Sequence, residues 1–223
     1  MIFYNYIKIQ GMIPIDNQYR TIENYGTAET VEKRSRFIAH VRPVSSETEA
    51  LEYLNSLKQK YWDARHNVYA YIIRENNIVR YSDDGEPGGT AGLPVLEILK
   101  REELFDIIVV VTRYFGGILL GTGGLVHAYS KAAKAGIEAA GIVDMILCRL
   151  IKIKCDYNLI GKVQYEINEF GDAALGEVQY DEAVIQSVYV PTEKSDMFIN
   201  KITDKTNARA EIELGETVWF EKK

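Results

Sequence analysis

Two α+β domains are the fold that the sequence predicts. Short hydrophobic runs with strand patterning are interleaved with helix-period segments throughout the chain, and this rhythm breaks at Gly141 and restarts. From about residue 147 the order of elements is β-α-β-β-α-β, that of a split βαβ, ferredoxin-like domain able to close its own two-layer core. The expected division is therefore 1–143 and 144–223, and 223 residues suffice for two small cores.

The first ordered segment, SRFIAHVRPV, reads as a strand that ends at Pro43, where a central strand would lose a ladder hydrogen bond. A helix is expected over Glu47 to Lys60. Ser46 and Glu49 have capping-box spacing, and Leu51, Leu54 and Leu57 share one face. VYAYII and IVRYS follow as a hairpin turning at Asn76 and Asn77. The turn-rich SDDGEPGGTAG precedes a helix starting near Leu93, with Pro94 tolerated in its first turn. FDIIVVV is a strand buried on both faces, and a long alanine-rich helix is expected from about Leu125 to Ala140, closed by Gly141.

In the second half CRLIKIKC is a strand and DYNLIGKVQYEINEF a helix. ALGEVQY and AVIQSVYV are strands, TEKSDMFINKITDKT is a helix, and ARAEIELGETVWF is a last strand or hairpin. At the other end, Met12 opens a hydrophilic run that reads as an ordinary protein start, leaving residues 1–11 as an extension or an edge strand.

Composition narrows the function classes. Hydrophobic residues at 47% and charged residues at 26% describe an ordinary soluble chain. FDIIVVV is too short to span a bilayer, and the N-terminus lacks the pattern of a secretory signal, so a cytoplasmic location without membrane attachment is expected. Cys148 and Cys155 are an odd number of positions apart on one predicted strand and point to opposite faces, which makes them free thiols of a reducing compartment. The net charge of −6 gives no overall pull toward nucleic acid, and most of the acidic excess falls in the second domain. An anionic partner should prefer the first.

The glycine-rich RYFGGILLGTGG, with Gly116, Gly117, Gly121, Gly123 and Gly124, resembles a nucleotide loop at first sight. Gly116 and Gly121 have the outer spacing of GxxxxGK[ST], but Thr122 stands where the lysine belongs, and Val126 breaks the dinucleotide pattern counted from Gly121. No cofactor is expected. Two readings stay open: an anion or RNA phosphate at a helix entrance, helped by Arg113 and Tyr114, or a tight bend that buries Phe115, Ile118 and Leu119.

In SDDGEPGGTAG, Asp83, Asp84 and Glu86 could hold magnesium or activate water if they converge, or Asp83 and Thr90 could cap a rigid turn or meet a partner. In DARHNVYAY, Asp63, Arg65, His66 and Asn67 precede a strand. His66 with Asp84 or Glu86 offers a general base, a recognition surface or structural support. His127 is a candidate recognition residue, whereas His40 reads as packed or surface-exposed. Lys33, Arg34 and Arg36 mark an RNA-facing edge or a solvated strand end, and Tyr69 and Tyr71 share a strand face. Three histidines and two separated cysteines assemble no zinc site.

KRSRFIA, DARHNVYAY, YSDDGEPGGTAGLPVLE and VVVTRYFGGILLGTGGLVHAY, in that order, resemble the YigZ and IMPACT family across the whole two-domain chain. The resemblance implies a first domain like the second domain of ribosomal protein S5 and a second like the last domain of elongation factor G. It implies a translation-related role, since the eukaryotic domain is associated with control of translation under amino-acid starvation. The expected function is a non-enzymatic regulator or accessory factor that binds RNA or the ribosome. The alternatives are a small hydrolase using His66, Asp83, Asp84 and Glu86, and a protein-binding module without RNA contact. Family-like positions are Arg36, Asp63, His66, Asn67, Asp83, Asp84, Glu86, Thr90, Arg113, Tyr114 and the five glycines. Arg65 and His127 depart from the pattern, the latter standing where arginine is common.

Overall fold

The computed structural model describes residues 17–222, so the expectation for residues 1–11 lies outside the described residues. The described chain forms two units, one of residues 19–144 and one of residues 145–222 with residues 17–18. Together they hold two antiparallel sheets and five α-helices. None of the described helices is long and apolar enough to cross a membrane.

In the first unit, β1 (Gln18–Ile22), which begins just ahead of it, leads into β2 (Gly26–Glu32), β3 (Ser35–Pro43), α1 (Glu47–Lys60), β4 (His66–Ile73), β5 (Ile78–Ser82), α2 (Gly92–Arg101), β6 (Ile107–Tyr114) and α3 (Gly121–Ala140). The sheet order is β2-β3-β6-β4-β5, antiparallel throughout. Helices cover both faces, and strand parity divides the core accordingly. Val68, Ala70 and Ile72 of β4 and Ile107, Val109 and Val111 of β6 meet α2 and α3. Tyr69, Tyr71, Ile73, Ile108 and Val110 alternate with them toward Leu54 and Leu57 of α1. A strand with both faces buried has no polar alternation, which explains the unbroken apolar run of FDIIVVV.

Local chemistry sets the helix ends. The Ser46 hydroxyl accepts the Glu49 N–H at 3.2 Å, and the Glu49 carboxylate reaches back to the Ser45 N–H at 2.8 Å, two otherwise unpaired donors at the start of α1. Asn76 and Asn77 both take positive φ in the β4–β5 turn. Between α3 and the sheet the packing is by backbone: a Cβ on Gly26 would lie 2.5 Å from the Ala140 nitrogen, and one on Gly136 would lie 2.8 Å from the Ala39 Cβ. β2 was not expected from sequence, because its outward residues Glu29 and Val31 leave it only one apolar side.

The second unit contains β7 (Ile142–Cys155, of which residues 145–155 belong here), α4 (Ile160–Phe170), β8 (Ala174–Tyr180), β9 (Val184–Pro191), α5 (Ser195–Thr206) and β10 (Glu211–Glu221). β7 is paired by β10 on one flank and β9 on the other, and β9 by β8. Ile151, Ile153, Val188 and Val190 pack against Val163, Ile167, Phe198 and Ile202 of the two helices. β8 and β10 each carry a register shift, between Leu175 and Val178 and between Leu214 and Thr217, so the last segment is one bulged strand. Cys148 and Cys155 are free and buried, and burial pushes both thiols above their ordinary range.

Candidate functional site

Register places the candidate residues at one end of the first sheet. Arg36 faces Tyr114 across β3 and β6, while His66 and Asn67 of β4 face Arg113 and Thr112. The turns before β4, after β5 and after β6 converge there.

Each carboxylate of SDDGEPGG has its own structural partners. Asp83 accepts the N–H groups of Gly89 at 2.8 Å, Ala91 at 3.0 Å and Gly92 at 2.8 Å, which anchors the start of α2 from outside the helix. Ala91 supplies no side-chain cap to that helix, so Asp83 takes the role. Thr90 is buried and its hydroxyl donates to the Pro87 carbonyl at 2.7 Å. Asp84, at φ +43°, accepts the Asn67 N–H at 2.6 Å, and its carboxylate lies 3.4 Å from the Lys58 ammonium. The Asn67 side chain is turned inward and accepts from the Thr112 hydroxyl at 2.7 Å.

Glu86 is buried. Its Oε1 takes the Arg113 guanidinium at 2.5 Å and the Tyr129 hydroxyl at 2.8 Å. Burial, then the adjacent carboxylate, pushes the Tyr129 phenol well above its ordinary range, so it stays a donor. The Arg113 guanidinium sits between the Phe37 and Phe115 rings, 5.4 and 5.7 Å from their centroids, and its Nε is buried without a hydrogen-bond partner. Arg113 is thus a buried structural cation, and the expectation that it faces a phosphate is corrected: desolvation penalises its charge, and the Glu86 carboxylate offsets that cost.

His66 donates from Nδ1 to the Asp84 carbonyl at 2.8 Å, and its Nε2 lies 3.9 Å from Glu86 Oε1. That gap is longer than the hydrogen bond of a carboxylate-paired base, and Glu86 is already held by two donors. His66, Asp84 and Glu86 do come together, therefore, in a corner where Asp84 is held by Asn67 and Lys58 and Glu86 Oε1 by Arg113 and Tyr129.

The glycine-rich segment also differs from expectation. α3 begins at Gly121, four residues before Leu125, so Gly121, Gly123 and Gly124 lie within its first turn; buried Leu120 and Leu125 fix this turn where glycine propensity argued against it. Phe115, Ile118 and Leu119 are exposed, Leu119 at 83%, which overturns the reading that the bend buries them. Gly116 has a steric reason: a Cβ there would stand 2.0 Å from the Arg34 carbonyl carbon, and its N–H donates to the Ser35 hydroxyl. Gly117 and Gly121 take positive φ. His127 is exposed on α3.

The outward-facing part of the site is smaller than the family-like set. Arg65 is exposed, Arg36 holds Glu29 in a bidentate pair at 2.9 and 3.0 Å, and the Arg36 guanidinium lies 5.6 Å from the Tyr114 ring centroid. The Tyr114 hydroxyl donates to Asp63 at 2.8 Å. Two residues escaped the sequence reading. Tyr129 has a legible signal, one helical turn beyond buried Leu125; Trp62, 82% exposed beside Asp63, has none beyond being a tryptophan in a polar stretch.

The Impact N-terminal domain family matches residues 33–137, and a domain of unknown function (DUF1949) matches residues 153–209. The chain is 42% identical over 207 residues to the IMPACT family member YvyE of Bacillus subtilis, covering 92% of this chain and 95% of that one. It belongs to the IMPACT family. The IMPACT family member YigZ of Escherichia coli is 31% identical over 77% of this chain and 85% of its own. A crystal structure described as that of an hypothetical protein matches with a TM-score of 0.58 at 27% identity, covering 91% of this chain and 99% of that chain. Within the IMPACT match fall the acidic turn, DARHN and the glycine-rich segment, all in the first unit.

Proposed function

We propose that this chain is a non-enzymatic, translation-related regulator or accessory factor that binds RNA or the ribosome through the first unit. IMPACT family membership supports the translation-related role. The observation that carries RNA contact is the cluster of exposed cations Lys33, Arg34, Arg36 and Arg65 at one sheet end of a chain whose net charge is −6. The hydrolase alternative is less well supported, because both oxygens of Asp83 and of Asp84 are held by structural donors and Oε1 of Glu86 is shared by Arg113 and Tyr129. For the fold, we infer an S5 domain 2-like first unit and a ferredoxin-like second; the order β10-β7-β9-β8 supports the latter. A cytoplasmic location accords with the two free thiols.

The test is ribosome cosedimentation together with RNA binding at graded salt. Binding that weakens steeply as salt rises is the expected outcome. Absence of both at every salt concentration refutes the proposal. Exposed Ile118 and Leu119 favour a second reading, a protein-binding module; crosslinking in cell extract would then recover protein without RNA.

A further inference from the structure

We infer that the sheet end carrying Trp62 is a stacking platform for single-stranded RNA, with the Trp62 indole receiving an unpaired base. This rests on the proposed RNA contact and names its chemistry. Trp62 follows the last turn of α1 and is 82% exposed, so almost none of its apolar area is removed from water by the fold. The ring projects from a closed turn, because the Ala64 N–H donates to the Tyr61 carbonyl at 3.0 Å. Asp63, the next residue, is tied to β6 by the Tyr114 hydroxyl at 2.8 Å. The fixed turn spares the backbone an ordering cost on binding and leaves only the two side-chain torsions of the indole to be ordered.

Charge selects the occupant. Arg36, lying over the Tyr114 ring, and exposed Arg34, Arg65 and Lys60 surround this turn or the strand ends beside it. Arg36 and Glu29 form an ion pair and cancel, so Arg34, Arg65 and Lys60 are the cations set against exposed Asp63 and half-buried Glu32. Cations placed beside an exposed aromatic ring match a strand with a phosphate at every step and a π-face at every base. A duplex offers the phosphates but keeps its base faces stacked, so the ring selects the single strand.

The experiment uses the full chain with Trp219→Phe, so that Trp62 is its one tryptophan, and titrates a 12-nucleotide oligouridylate and a blunt-ended RNA duplex of equal phosphate count at low salt. The expected result is quenching of Trp62 by the single strand. A further Trp62→Ala change should weaken single-strand binding by about 5- to 150-fold, with Trp62→Phe retaining most of it. Because the side chain is exposed, an unchanged melting curve is expected for both variants. If Arg65→Ala weakens RNA binding while Trp62→Ala does not, the RNA reading stands and the stacking inference is overturned. Binding of neither RNA overturns both. A Trp62→Ala chain that keeps its RNA affinity but leaves the ribosome assigns the ring to a protein face, which also overturns the inference.

Discussion

Replacing Glu86 by leucine should be among the most damaging single changes in the first unit. The carboxylate side chain is 5% exposed and that of Arg113 is 7% exposed, so the substitution leaves a guanidinium buried with its Nε already unpartnered. Removing one member of a buried ion pair costs about 3–5 kcal/mol. The Tyr129 hydroxyl also loses its acceptor, a loss of about 1–3 kcal/mol that overlaps the first because both donors share Oε1. About 4 kcal/mol is therefore expected for Glu86→Leu, and a similar loss for Arg113→Met. The double variant replaces both charges with apolar groups of similar length and should recover most of the loss. Urea denaturation followed by circular dichroism measures the cycle, and hydrogen exchange on peptides from 107–140 assigns the change to the first unit. A cost below about 1 kcal/mol for Glu86→Leu, or a double variant as unstable as the sum of the singles, refutes the reasoning.

Other outcomes follow from neighbouring geometry. Asp83→Ala removes the acceptor for three N–H groups at the start of α2 and should cost about 1–2 kcal/mol, with faster exchange over residues 89–101; unchanged exchange there contradicts the anchoring role. Gly116→Ala drives a Cβ into the Arg34 backbone and should cost about 1–3 kcal/mol, whereas Gly123→Ala meets nothing within 4 Å and should be neutral or stabilising by up to about 1 kcal/mol. Comparable melting curves for the two alanine variants would show that the close approach has no cost. Burial, then the nearby Lys60 charge, holds the His40 imidazole down to about 4, with Tyr25 bonded to its Nδ1 at 2.8 Å. Its folded value lies below the unfolded one, so the unfolded chain binds the extra proton first. The stabilisation is complete above about pH 6.5 and falls away as pH drops toward 4, by roughly 2 kcal/mol after solvent screening is allowed for. His40→Gln should flatten that part of the pH–stability curve, and an unaltered slope argues against His40 as its source.

Much of the fold was legible because it depends on short-range chemistry. Ser46 and Glu49 announce α1 within one turn, and the apolar run of β6 announces a strand with two buried faces. β2 was hidden, since the half-polar GTAETVE is made a strand by its ladder with β3 rather than by its own pattern. The first turn of α3 was hidden for the opposite reason: three glycines argue against a helix that packing of Leu120 and Leu125 enforces. The polar site was legible by residue and not by role. Sequence supplied Glu86 and Arg113 as a candidate acid and a candidate phosphate ligand, but 27 positions separate them, and nothing local says that each neutralises the other. Exposure of Phe115, Ile118 and Leu119 was equally invisible, because apolar residues in a turn are expected inside.

The irregularities in β8 and β10 bear on how this chain behaves at high concentration. These strands flank the β10-β7-β9-β8 run of the second unit, and each breaks its regular register once. A straight outer strand is a template on which another copy can add its own backbone, whereas a bulge twists the strand and interrupts the row of amides and carbonyls. The skipped positions at Gly176 and Gly215 thus leave each outer strand a poorer template for such addition than an unbroken one would be.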